Sequence, residues 1–247
     1  MPDNKYCYPD SNVLINNLNI RESDVLFEAE KELTAIRLRE LQISPVEGNY
    51  DFEHLKKIHR YIFQDVYEWA GEVRTVEIGK GNLFCTTACI QEYAESVFAK
   101  YYSQCLAAKD DRNKYIKVFA ENYGDLNALH PFREGNGRAQ REFARLVCMA
   151  CGYTFNLSHT THKEMLHASI LSFDKGDSSE FIKIFSEGII PIGEAKRSEN
   201  TAIEILTADD MIIGTTGDND YYGYVEIKDY ESYNAYYKEK IEEMNNR

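Results

Sequence analysis

Residues 130 to 141 read His-Pro-Phe-Arg-Glu-Gly-Asn-Gly-Arg-Ala-Gln-Arg, which places a proton acceptor, a carboxylate, two glycines and two guanidiniums in one short segment. His130 is the only side chain there whose ordinary pKa suits general-base work near neutrality. Pro131 lacks an N–H and disfavours helical geometry at the residue before it, so a helix should stop at His130. Gly135 and Gly137 permit positive φ, which lets successive N–H groups point into one concavity. With the N-terminus of a following helix, that concavity is an anion site. Arg138 and Arg141 lie three apart on one face of that helix and can both reach phosphate oxygens. Glu134 is an oxygen ligand at the mouth, suited to Mg²⁺ shared with phosphates. Together these groups describe phosphoryl or nucleotidyl transfer. A solvated charge cluster on an ordinary turn is the alternative. It fits poorly, because two arginines at a helix N-terminus oppose the macrodipole unless an anion joins them.

Such a segment needs helices on both sides, and the chain supplies them. It has 247 residues, 43% hydrophobic and 28% charged, with a net charge of −13. That is enough apolar residue for a packed core and excludes a disordered, collagenous or rod-like chain. The acidity argues against nucleic acid as a partner. No apolar run approaches the ~20 residues of a membrane span, and no signal pattern opens the chain, so a soluble, cytoplasmic protein is expected. Apolar residues recur with helical period from Arg21 to Leu41, with Val25, Leu26, Ala29, Leu33, Ile36 and Leu41 as the expected inner face. Asp51 can cap a second helix carrying Leu55, Ile58, Ile62 and Phe63. Further helices are expected near Ile90–Ala107 (inner face Tyr93, Val97, Tyr101, Leu106), Asn113–Leu129, Ala139–Cys151, Lys163–Ser172 and Ser179–Ser186. Between Arg74 and Thr87 the residue types favour a short hairpin turning at Gly79 to Asn82. Six cysteines, including the Cys148–Cys151 pair in apolar surroundings, read as buried, reduced thiols rather than disulfides or a zinc site. From Thr201 onward 11 acidic and 4 basic residues leave −7. This stretch reads as an α/β appendage after a linker at Pro191 and Gly193, with strands in AIEILTADDMIIGTT and YYGYVEI and a terminal helix over Tyr233–Met244.

The segment 130 to 141 resembles the signature of Fic (filamentation-induced by cAMP) domains, HPFx[D/E]GNGRxxR. It matches at His130, Pro131, Phe132, Glu134, Gly135, Asn136, Gly137, Arg138 and Arg141. VYEWAGEVR at 66 to 74 and the opening YPDSNVLINNLNIRE are also similar to short stand-alone bacterial members. The resemblance covers roughly residues 5 to 190 and implies a mainly α fold, a Fic-type helical bundle with a β-hairpin flap. The division expected is a Fic domain over 1–190 and an acidic, Tyr-rich appendage over 191–247. It also implies adenylylation, the transfer of AMP from ATP to a Tyr, Thr or Ser hydroxyl of a target protein. His130 would be the base and Glu134 the Mg²⁺ ligand. Gly135, Asn136, Gly137, Arg138 and Arg141 would hold the phosphates, and Phe132 would anchor the loop. The flap would line up the target by strand addition, with Ile78, Leu83 and Lys80 as docking residues.

Kinase-like relatives carry lysine where Gly137 stands, so the adenylylating orientation is favoured. Relatives that transfer other groups, or a nucleotide-binding interaction module with a tyrosine-rich recruiting tail, are the alternatives. The inhibitory pattern [S/T]xxxE[G/N] found in many members is missing. Glu187 and Glu199 are only degenerate matches, so the inhibitory glutamate is expected from a separate small antitoxin-like protein. Both a toxin and an effector delivered into another cell fit this reading.

Overall fold

The computed structural model describes residues 5–80, 82–198 and 225–226. Eight helices follow in order among them: α1 Ser23–Ile43, α2 Phe52–Phe63, α3 Ile90–Ala108, α4 Arg112–Leu129, α5 Asn136–Ala150, α6 His162–Lys175, α7 Ser179–Gly188 and α8 Ile192–Ser198. A short antiparallel ribbon, β1 Ile78–Lys80 and β2 Asn82–Leu83, stands between α2 and α3. The other edge of β1 pairs with β3, Val225–Glu226, the two described residues of the strand expected in YYGYVEI. The remaining strand and helix expected after Thr201 lie outside the described residues.

Local chemistry sets most of the helix ends. Asp51 accepts from the His54 N–H at 2.8 Å and Asp111 accepts from Asn113 and Lys114, each occupying an otherwise unpaired donor of the first turn. Thr161 and Glu164 form a reciprocal capping box at α6, which begins at His162. Pro191 and Gly193, expected in a linker, instead open α8, and Pro191 bridges to Tyr153.

The core lies between α2, α3, α4, α5 and α7. Ile58, Phe63, Val97, Tyr101, Phe119, Leu126, Phe143, Val147, Phe181 and Phe185 are among its fully buried side chains. On α4, Ile116, Phe119, Tyr123 and Leu126 face inward as their spacing requires. Two faces depart from expectation. On α1, Val25 and Ile36 are about half exposed, while Glu30 and Thr34 are buried with Leu26, Leu38 and Leu41. On α3, Leu106 is exposed and Cys105 takes its place inside. In both helices apolar spacing is not enough to assign the face, which polar or thiol side chains share. No described cysteine is disulfide-bonded: Cys7, Cys105, Cys148 and Cys151 are buried, Cys85 is half-buried, and Cys89 is exposed against expectation. Burial pushes the Cys148 thiol well above its ordinary range, so it stays protonated and inert.

Candidate active site

The C-terminus of α4 and the N-terminus of α5 meet at residues 130 to 136, and the joint is locked from inside. His130 ends α4 in the left-handed region, at φ 41° and ψ 61°. Its Nδ1 lies 2.8 Å from the carbonyl of Asn127. A carbonyl only accepts, so Nδ1 carries the hydrogen and Nε2 is the basic nitrogen. Phe84, just after β2, stacks on the imidazole with centroids 3.7 Å apart and planes 9° from parallel. His130, Gly137 and Arg141 line one cleft with Phe84 and with Ser169 and Phe173 of α6.

Asn136 holds the loop closed. Its Oδ1 accepts from the N–H of Phe132 at 2.9 Å, and its Nδ2 donates to the carbonyl of Phe132 at 2.7 Å. Both residues are fully buried, so Phe132 anchors the loop as its sequence position suggests. The Asn136 side chain is thereby spent on the loop, and only its main chain is placed to face an anion. Gly135 has φ +77°, and a Cβ there would lie 2.1 Å from the Phe63 ring, so both conformation and space require glycine. Gly137 differs from expectation: it sits inside α5 without positive φ. A Cβ there would lie 3.0 Å from Nη1 of Arg141, a tight contact with the end of a flexible side chain. Gly135 has no side chain with which to cap α5, which leaves the N–H groups of the first turn to an external acceptor.

The two arginines part company. Arg138 turns its fork to α1, donating to Glu30 and, at 3.1 Å, to the hydroxyl of Thr34, and its cation lies 4.6 Å from the Phe63 ring centroid. Burial works against its charge, but Glu30 and Glu134 outweigh that and raise its pKa further. Glu30 also accepts from the Tyr67 hydroxyl. Arg141, one turn on, lines the cleft. Glu134 is partly exposed, and its Oε1 accepts from the Gly135 N–H at 2.8 Å. No group of three His, Cys, Asp or Glu side chains able to hold a metal occurs among the described residues. A single carboxylate such as Glu134 could hold Mg²⁺ only together with phosphate oxygens, which would complete its shell.

From below, His59 supports the loop. It is fully buried and stacked 3.8 Å from Phe132, with Nδ1 accepting from the Gly71 N–H at 2.8 Å and Nε2 reaching the Glu134 carbonyl at 2.9 Å. The Gly71 bond makes Nδ1 the acceptor, so Nε2 donates and the ring is neutral. Burial depresses its pKa to about 3. Glu30, Thr34 and His59 escaped the sequence reading. The available signal was weak: polar residues at 30 and 34 on the same face as Leu26, Leu38 and Leu41. Of the expected docking residues, Ile78 is buried and Leu83 half-buried, while Lys80 and Asn82 are in register at the ribbon turn.

A model of the Fic/DOC family matches residues 49–148. The probable protein adenylyltransferase y4lH of Sinorhizobium fredii is 38% identical over 169 residues, covering 68% of this chain and 86% of that protein. The probable protein adenylyltransferase Fic of Escherichia coli is 31% identical over 192 residues, covering 77% and 94%. Among solved structures, the N-terminal Fic domain of a cell filamentation protein from Bartonella quintana, with bound ADP, has a TM-score of 0.72 and 26% identity, over 77% of this chain and 97% of that one.

Proposed function

The chain belongs to the Fic/DOC family, and from that membership we propose that it transfers AMP from ATP to a hydroxyl side chain of a target protein. In this reading His130 Nε2 takes the proton of the target hydroxyl as its oxygen attacks the α-phosphorus. The bond from the α-phosphorus to the bridging oxygen breaks, pyrophosphate leaves with the electron pair, and a phosphodiester joins AMP to the target. The observation that carries the proposal is the bond from Nδ1 to the Asn127 carbonyl, which makes Nε2 the basic nitrogen of an imidazole that lines the cleft. The uncapped first turn of α5, from Asn136 to Arg138, would receive the phosphates and stabilise charge that develops as the bond breaks. Arg141 would hold the terminal phosphates from the cleft. Arg138, anchored on Glu30 and Thr34, would contribute its charge from behind the nest. Glu134 would hold Mg²⁺, which when bound neutralises charge on the phosphates.

The ribbon would align the target by main-chain pairing, with Leu83 on the approach and Lys80 at the turn. Its β1 edge already takes Val225–Glu226 as a third strand, which is the kind of addition the reading requires. Ile78, being buried, would support the ribbon rather than touch the target. For restraint, Glu187 lies at the end of α7 with its carboxylate mostly exposed and 3.9 Å from His159. That position favours an inhibitory glutamate supplied by a separate small protein.

Intact-mass spectrometry tests the function directly. Incubated with ATP, Mg²⁺ and a cell lysate, the protein should add an AMP-sized mass to itself or to a lysate protein, and His130→Ala should not. A phosphate-sized adduct, or an AMP adduct that persists in His130→Ala, would overturn the proposal.

A further inference from the structure

A buried cation outside the signature joins the base to the ribbon. Arg74 is 2% exposed. Its guanidinium donates from Nε to the His130 carbonyl at 2.9 Å, from Nη1 to the Val76 carbonyl at 2.9 Å, and from Nη2 to the Cys85 carbonyl. Its own N–H donates to the Pro131 carbonyl at 2.9 Å. Val76 and Cys85 flank β1 and β2, so one planar fork grips both legs of the ribbon and the main chain of His130. Glu77 closes the arrangement: it lies 3.5 Å from Nη1 and accepts from the N–H of Thr87 at 3.0 Å and its hydroxyl at 2.7 Å.

The residue type matters. Guanidinium presents five donors in a rigid plane, whereas an ammonium is a compact point that cannot meet three carbonyls spread around a fork. His130 also lies past the end of α4 in the left-handed region, where the helix ladder no longer sets the direction of its carbonyl. The Arg74 bond sets it instead. The ring of Phe84, adjacent to Cys85, is thereby held against the imidazole. Resting on the adenylylation reading above, we infer that Arg74 is a positioning residue that fixes the ribbon edge, where a target segment would lie, relative to the His130 imidazole. It does so without contacting the nucleotide.

The test compares Arg74→Lys with Arg112→Met in the full-length chain. Arg112 serves as a matched control: it grips the carbonyls of Ile189 and Ser186 at the far end of α4, away from the cleft. AMPPNP affinity in the presence of Mg²⁺ is expected to stay within about two-fold of wild type in both. AMP transfer to lysate proteins is expected to fall about 100-fold in Arg74→Lys only, the scale of a misplacement near 1 Å. Equal losses in the two variants, wild-type transfer by Arg74→Lys, or a parallel loss of AMPPNP affinity would each overturn the inference. A second readout stands whether or not the wild type transfers AMP. Hydrogen exchange at the Phe84 and Cys85 amides, which donate to Ile78 and Ala128, should accelerate at least ten-fold in Arg74→Lys while interior amides of α5 do not. Unchanged exchange there would refute the positioning role independently of the reaction.

Discussion

Replacing Asn136 by aspartate should convert a neutral clamp into a pH-dependent fault. Asn136 both accepts from and donates to the main chain of Phe132, at 2.9 and 2.7 Å, and neither residue is exposed. An ionised carboxylate keeps the acceptor but loses the donor, and it faces the Phe132 carbonyl in a buried site. Leaving that carbonyl unpaired costs about 1–3 kcal/mol. The unfavourable charge should raise the carboxyl pKa by roughly 3 units, from about 4 toward 7, equivalent to about 4 kcal/mol at neutral pH. The gain from an anion at the start of α5, about 0.3–1 kcal/mol, is too small to offset this. A protonated carboxyl can donate to the carbonyl and accept from the N–H, as the amide does. Because the folded-state pKa is raised, the lost stability should return as pH falls, by about 1.4 kcal/mol per unit between pH 7 and 4. Urea unfolding at pH 5, 6, 7 and 8 should show the gap between Asn136→Asp and wild type narrowing on acidification, while Asn136→Ala keeps a constant gap. A pH-independent gap for the aspartate variant would refute the assignment of Asn136 as donor to Phe132.

Other substitutions probe the remaining supports. Gly135→Ala should lower stability by about 2 kcal/mol or more through its positive φ and the clash with Phe63, and Phe63→Leu should recover part of the loss in calorimetry. Glu30→Ala removes the hydrogen-bonded carboxylate partner of the buried Arg138 guanidinium and should cost about 3 kcal/mol by chemical denaturation, with Glu30→Ala/Arg138→Met less damaged than the sum of the single changes. His59, with its pKa held near 3 against about 6.5 in the unfolded chain, contributes stability that is present above pH 6.5 and lost as pH falls toward 3. Its share should be about 1.4 kcal/mol per unit, and the acid slope of unfolding should be shallower by that amount in His59→Gln.

The signature was legible because its geometry is largely local. Pro131 stops α4, Gly135 turns the chain, and the first turn of α5 follows within a few covalent bonds, so residue types nearly dictate the backbone. The helix end at Asp51 was readable for the same reason, since a cap and its N–H lie three residues apart. The face of α1 was readable only in part: Leu26 and Leu41 are buried as expected, Val25 and Ile36 are not. Spacing rules place apolar residues inward, but Glu30 and Thr34 hold the inner face because a buried guanidinium 104 to 108 residues away needs them. Gly137 was expected to use positive φ, whereas the structure gives it a helical backbone with Nη1 of Arg141 close beside it. His59 and Arg74 belong with these: each satisfies carbonyls of the signature from an element distant in sequence, at 75 and 56 residues' separation. The sequence alone determined which groups could do chemistry and how the short loop carrying them must bend. Tertiary packing decided which side chains hold that loop, because hydrogen-bond partners so far apart along the chain are selected only when the core brings their helices together.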